Sequence, residues 1–272
     1  MTEICRTLNL CRATYYQRED RPESKQAQRR KILCQQIRQI YYDFRRVYGA
    51  PKIQQELWNR GFKTSLKLVQ KLMRCLGLRS IINKKWRYAH NAKIDNGFYP
   101  NLLAQDFKAR RANQKWAADI TYVHTSKDGW CYLATIMDLY SRKIIAHKLS
   151  QQMTTQLVLD VLKQACSTRK ISAGLILHTD LGTQYRSFEF EKKLKESQIR
   201  HSYSKRGYPY DNAVLESFHA SFKKEEVYQQ TYQDFQAANQ AQFNYIEGFY
   251  NCRRINSANN YLTPDEKEVA VS

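Results

Sequence analysis

Residues 115–150 read KWAADITYVHTSKDGWCYLATIMDLYSRKIIAHKLS, and this stretch decides the architecture. Apolar runs at 116–124, 130–138 and 143–149 are separated by the turn formers KDG and YSR, the pattern of three successive strands on short connections. Asp119 falls in the middle of the first run, between Trp116 and Ile120. A carboxylate there is out of place unless it is paired or holds a metal.

Downstream, the apolar spacing predicts a helix over 154–168, a short strand in GLILHT, a helix over 187–197 and a strand over 199–203. A long helix then opens at Asp211 or Asn212. The order β-β-β-α-β-α-β-α is that of an α/β unit with a ribonuclease H-like core, a mixed five-stranded sheet with flanking helices. A last helical segment over 232–250 and the stretch NCRRINSANNYLTP are expected to fold back on that core.

Upstream of the strands the grammar is all-α. The apolar residues Ile32, Leu33, Ile37, Ile40 and Tyr41 recur at helical spacing. In YGAPKIQQELWNRGFKTSLKLVQKLMRCLGL, Pro51 opens a helix carrying Ile53 and Leu57, and Gly61 ends it. Ser65 or Thr64 caps a second helix in which Leu68, Val69, Leu72 and Met73 turn inward. This is a helix–turn–helix pattern that leaves Lys63, Lys67, Gln70, Lys71 and Arg74 outward, suited to phosphates and base edges. The expected organisation is a short helical segment over 1–30, a helix–turn–helix domain over 31–80, a basic linker over 81–112, the catalytic core over 113–230 and a helical extension over 231–272. Lys84, Lys85 and Arg87 of the linker are placed to lie along a duplex.

Charge narrows the partners. The 272 residues carry a formal net charge of +20, and residues 1–100 alone hold 22 Lys and Arg against 7 Asp and Glu. Such an excess points to a polyanion, and in this context to double-stranded DNA. No apolar run reaches the ~20 residues of a membrane span, no basic amphipathic stretch with bulky anchors appears, and no signal peptide opens the chain. The seven cysteines form no CxxC pair and share no ligand spacing with the six histidines, which argues against a zinc finger and for reduced thiols in a cytoplasmic protein.

Against this basic background three acids stand out: Asp119, Asp180 in LILHTDLGTQY, and Glu216 in DNAVLESF, the last two separated by 35 residues. Asp180 follows an apolar strand at its carboxyl end, where α/β folds present ligand groups. Glu216 lies about one turn into a helix and shares a face with Asn212 four residues earlier. Hard oxygens from three separate elements suit Mg²⁺ or Mn²⁺, and two such ions would serve an in-line phosphodiester displacement. Asp119 is the expected bridging ligand. Gln184, Tyr185, Lys205, Arg206 and Tyr208 flank the same loops and are expected to grip a strand end, as Asn212 is to contact DNA and Lys223 to hold a phosphate. Asp138 reads equally as a turn former, His178 as a structural strand histidine, and Asp211 as a helix cap.

The stretches YGAPKI, LMRCLGL, WAADITYV, ATIMDLYSRKI, HTDLGTQY, KRGYPYDNAVLESF and YNCRRIN together resemble the DDE transposases of bacterial insertion sequences with two overlapping reading frames. Specifically, they resemble the second-frame product with its retroviral-integrase-type core. The resemblance implies that Asp119, Asp180 and Glu216 are the metal-binding triad and that the helix–turn–helix binds terminal inverted repeats. It implies cleavage at element ends, 3′-hydroxyl strand transfer into target DNA, and a homo-oligomer that brings two ends together in a nucleoid-associated complex. It also implies a partner in the upstream-frame product, or a frameshifted fusion with it. Tyr208 and Pro209 depart from the small polar residues usual in that loop. Two alternatives stay open on the sequence: a regulator that occupies the ends without catalysis, and a ribonuclease H-like nuclease that cuts without joining.

Overall fold

The computed structural model describes residues 7, 23–82, 99–205 and 209–270. The segment over 1–22 apart from Thr7, the linker residues Lys84, Lys85 and Arg87, and Arg206 and Tyr208 lie outside the described residues. The chain forms two compact units, Met1–Ser80 and Ile81–Ser272.

The first unit is all-α. Helix α1 (Lys25–Asp43) begins earlier than its apolar stripe, because Ser24 accepts the Ala27 amide at 3.2 Å and so caps it. Leu33, Ile37, Ile40 and Tyr41 are its buried stripe, whereas Ile32, one position off that face, is 49% exposed. Helix α2 (Ala50–Asn59) has Pro51 in its first turn and buries Ile53 and Leu57 completely. Gly61 then turns the chain with φ +86°, a conformation that costs glycine little. Helix α3 (Leu66–Cys75) is capped by Ser65, not Thr64, through the Leu68 amide at 3.3 Å. Val69, Leu72 and Met73 face the small core.

The second unit is built on one five-stranded sheet, β1 (Lys115–Thr125), β2 (Gly129–Asp138), β3 (Ile144–Ser150), β4 (Ile176–Thr179) and β5 (Arg200–Tyr203), in the order β3-β2-β1-β4-β5. The three-strand meander is antiparallel, and β4 and β5 add in parallel. Helices α4 (Thr155–Thr168) and α5 (Phe188–Glu196) supply the crossovers, capped by Thr154 and Ser187. One face of the sheet carries Trp116, Ala118, Ala134 and Ile136 into a cluster with Leu157, Val161 and Leu162 of α4 and Phe190 and Leu194 of α5.

The period of two sends Asp119 and its register partner Thr135 to the opposite face. There α6 (Ala213–Glu225), which follows a tight turn Pro209–Asn212, meets the sheet. Phe218 and Phe222 of α6 pack with Tyr245 at the end of α7 (Phe235–Tyr245) and with Phe249 and Tyr250 of the π-helical turn Ile246–Asn251.

The carboxy-terminal segment belongs to this unit. The Asn251 amide both accepts from Ile144 N–H and donates to Ile144 C=O, each at 3.0 Å, and so occupies backbone groups that edge strand β3 would otherwise leave open. Helix α8 (Pro264–Val269), started by a Thr263–Glu266 capping box, closes the chain.

Candidate active site

The sheet register brings two of the acids side by side. Ala117 of β1 pairs with His178 of β4 in the parallel ladder. Continuing that register by two residues sets Asp180, just past the end of β4, level with Asp119, one strand spacing away. Glu216 comes from the first turn of α6, where a negative charge also suits the helix dipole.

The other two carboxylates both act on Asp119. Burial, and next the charge of Asp180, push the Asp119 carboxyl up to about 8; Glu216 adds to the rise, while the Ile120 amide and Lys223 oppose it. That amide donates to Asp119 Oδ1 at 2.8 Å. Asp180 is exposed, and its Oδ1 accepts the Gly182 amide at 2.9 Å. A Cβ on residue 182 would stand 2.9 Å from that oxygen and 3.2 Å from Gln184 Oε1, so a larger residue there would displace the Asp180 carboxylate.

Sequence reasoning overlooked His219. It lies three residues beyond Glu216 on α6, a spacing that puts both on one helix face. Its Nδ1 is 3.6 Å from Asp119 Oδ2, and its Nε2 is 3.2 Å from Thr135 Oγ1, whose hydroxyl donates to the Asp119 carbonyl at 3.4 Å. Burial depresses the imidazole to about 3, so it is neutral and makes no ion pair with Asp119. Lys223, one turn further, holds its ammonium 4.2 Å above the Tyr122 ring. Burial lowers its pKa and the Asp119 charge raises it.

The residues expected to contact DNA sort by burial. Lys63, Lys67, Gln70, Lys71 and Arg74 are all exposed on α3 and the turn before it, and Lys205 is exposed beside α6's entry. Gln184 is half-buried, with its amide 3.4 Å from the Met153 carbonyl. Two expectations are corrected. Tyr185 is 3% exposed, its ring edge-on to Phe190 at 5.4 Å; it is a core residue, because the turn after Gly182 directs it inward. Asn212 is 6% exposed and offers no surface to a strand; its buried Oδ1 has no partner among the described residues.

Asp211 is not a helix cap either. It accepts from Asn101 and Lys205 N–H through Oδ2 and from Gln105 through Oδ1, each at 2.8 Å, tying the residues before β1 to the loop after β5. Asp138 is the turn former: buried, it accepts the Asn113 and Tyr140 amides at 2.7 and 2.9 Å. His178 is structural, fully buried between Ser202 and Ser204 hydroxyls at 2.9 Å each, and burial holds it at about 4.

The donor set suits a hard divalent cation: three carboxylates, one of them mostly buried, with a pKa raised by burial first and by its acidic neighbours next. Among the described residues no three His, Cys, Asp or Glu side chains stand close enough together to hold a metal ion.

The integrase core domain and the transposase relatives define the class as an integrase-type polynucleotidyl transferase. Residues 109–209 match the integrase core domain family, residues 197–264 a second integrase core domain, and residues 27–86 an HTH-like domain. The transposase for insertion sequence element IS904 of Lactococcus lactis subsp. lactis (strain IL1403) is 38% identical over 249 residues, 91% of this chain and 98% of that protein. Transposase InsF for insertion sequence IS3A of Escherichia coli (strain K12) is 37% identical over 272 residues, 97% of this chain and 92% of that protein. This chain belongs to that family, the insertion-sequence transposases with an integrase core. Among solved structures, the intasome of simian T-cell lymphotropic virus in complex with PP2A regulatory subunit B56 gamma is similar at 18% identity and a TM-score of 0.48, over 79% of this chain and 70% of that one. Among the described residues no helix is long and apolar enough to cross a membrane.

Proposed function

We propose that this transposase cleaves the ends of its element and joins the freed 3′-hydroxyl to target DNA, with Asp119, Asp180 and Glu216 as the ligands of two Mg²⁺ or Mn²⁺ ions. The observation that supports this reading is that Asp119 of β1 feels the charges of both Asp180, past the end of β4, and Glu216, in the first turn of α6, in a chain of net charge +20. Bound there, the ions supply charge neutralisation at the phosphate and a lowered pKa for the attacking oxygen. The protein's own part is positional. Asp119 is the shared ligand, held by the Ile120 amide on one oxygen and facing a neutral His219 on the other. The Asp180 carboxylate is oriented by Gly182, and Lys223 fixes a phosphate beside the reacting one.

The exposed basic side of α3, with Lys63, Lys67, Gln70, Lys71 and Arg74, is the proposed reader of the terminal inverted repeats. Joining two ends in one event calls for at least two copies, so the working form is a homo-oligomer on DNA, completed by the upstream-frame product or a frameshifted fusion. The boundaries 31–80, 113–230 and 231–272 are the corresponding division of labour, although the last segment completes the core.

The test is incubation with a labelled duplex carrying an element end and Mg²⁺, with cleavage and joining scored separately. Asp119→Asn, Asp180→Asn and Glu216→Gln should each abolish both steps while end binding persists. Joining by any of the three variants would overturn the assignment.

A further inference from the structure

Beyond Ala117, β1 has no ladder partner on its β4 side until a single bridge from Thr125 to Tyr232 among the described residues. The β1–β2 hairpin therefore runs on with that edge of β1 unpaired, and the period of two puts Tyr122, His124 and Trp130 on the sheet face opposite Asp119. Its outward positions carry an aromatic ledge. Tyr122 and Trp130 are each 54% exposed, with ring centroids 5.2 Å apart in an edge-to-face contact. His124, also exposed, stands edge-to-face to Trp130 at 5.0 Å and directly across the ladder from it. Three large rings on the solvent side of a hairpin are costly to leave bare.

One contact joins the ledge to the site. Lys223 lies over the Tyr122 ring at 4.2 Å and also feels the charge of Asp119, three residues earlier on the same strand. A cation between exposed rings and a cluster of acids matches the two halves of a nucleotide, a flat base and its phosphate.

We propose that Tyr122, His124 and Trp130 form a stacking platform for unpaired bases of the DNA strand entering the acidic site, with Lys223 holding the adjoining phosphate. The inference rests on the reading of that site as the place of phosphodiester chemistry. Stacking on a ring is sequence-tolerant, so the platform would admit any end or target that opens locally.

The test uses binding and cross-linking, which do not depend on catalysis, in the Asp119→Asn protein. The probes are a synthetic duplex with an unpaired overhang containing bromodeoxyuridine, and the fully paired duplex of the same sequence. Irradiation should cross-link the overhang to peptides containing Tyr122 or Trp130. The double variant Tyr122→Ser/Trp130→Ser should lose roughly ten-fold in affinity for the overhang duplex. Its affinity for the paired duplex should hold, and Tyr122→Phe/Trp130→Phe should bind as the parent does. Equal losses on both probes, no loss, or cross-links confined to other peptides would overturn the platform. So would a change of sedimenting mass in the serine variant with overhang affinity unchanged, which would assign the ledge to a second copy of the chain. Failure of the catalytic reading shows up separately, as joining by the Asp119→Asn protein.

Discussion

His219 Nδ1 faces Asp119 Oδ2 at 3.6 Å, and the imidazole is neutral. A histidine beside a buried aspartate ordinarily invites an ion pair; here it supplies no charge. The acid is left with burial and two like-charged neighbours, and its proton is held tightly until a cation replaces it.

A pH dependence follows for the metal-free protein. Asp119 titrates near 3.8 when unfolded and at about 8 when folded, so its contribution to stability is fully present below about 4 and is lost as pH rises to about 8. His219 works the other way: its depressed folded value removes stability as pH falls below 6.5 toward 3. Between pH 6.5 and 8 the aspartate dominates the pair. Calorimetry in chelator should show the melting temperature falling across that window, and Asp119→Asn should flatten the slope. Added Mg²⁺ should restore the wild-type melting temperature at pH 8 and do much less for the variant.

Gly182→Ala tests the loop that orients Asp180. The new Cβ would press on Asp180 Oδ1 at 2.9 Å. Strand transfer should fall at least ten-fold and need more Mg²⁺ for half-maximal rate, with melting temperature nearly unchanged. An alanine variant with the parent's Mg²⁺ dependence would show that the carboxylate is not positioned by this turn.

The ion pair of Arg254 with Glu225, 2.6 Å apart with Glu225 1% exposed, should govern the stability of the second unit. Tyr245 donates to the same carboxylate at 2.8 Å. Arg254→Met strands a buried charge and should cost about 3–5 kcal/mol in urea unfolding. Changing Arg254 and Glu225 together, to Met and Leu, should recover much of that loss.

On α3, Lys71→Ala and Arg74→Ala should weaken DNA binding across sequences. Each should reduce the slope of log affinity against log salt by about one. A slope unchanged in both would move the phosphate contacts elsewhere.

The elements were legible in the chain because strand alternation and helix spacing are local properties. WAADITYV, HTDLGTQY and DNAVLESF each declared an acid and the element that carries it, and the observed strands differ from the expected runs by a residue or two at their ends. Burial was harder to read. Tyr185 looked like a strand-gripping residue and Asn212 like a companion of Glu216, yet both are covered, because what covers them comes from other segments. Asp211 followed the usual grammar of a cap but ties together Asn101, Gln105 and Lys205. Its partners lie as far as 110 residues away, beyond the reach of any window of sequence.

By itself, then, the sequence determined the order of an all-α part before an α/β part, the strands and helices, the excess of positive charge and the three acids, since periodicity and composition act within a few residues. The tertiary structure alone decided that Asp180 comes level with Asp119, that Thr135 and a neutral His219 stand against it, and that Lys223 lies over Tyr122. Those relationships depend on sheet register and on the seat of α6, and long-range packing sets both.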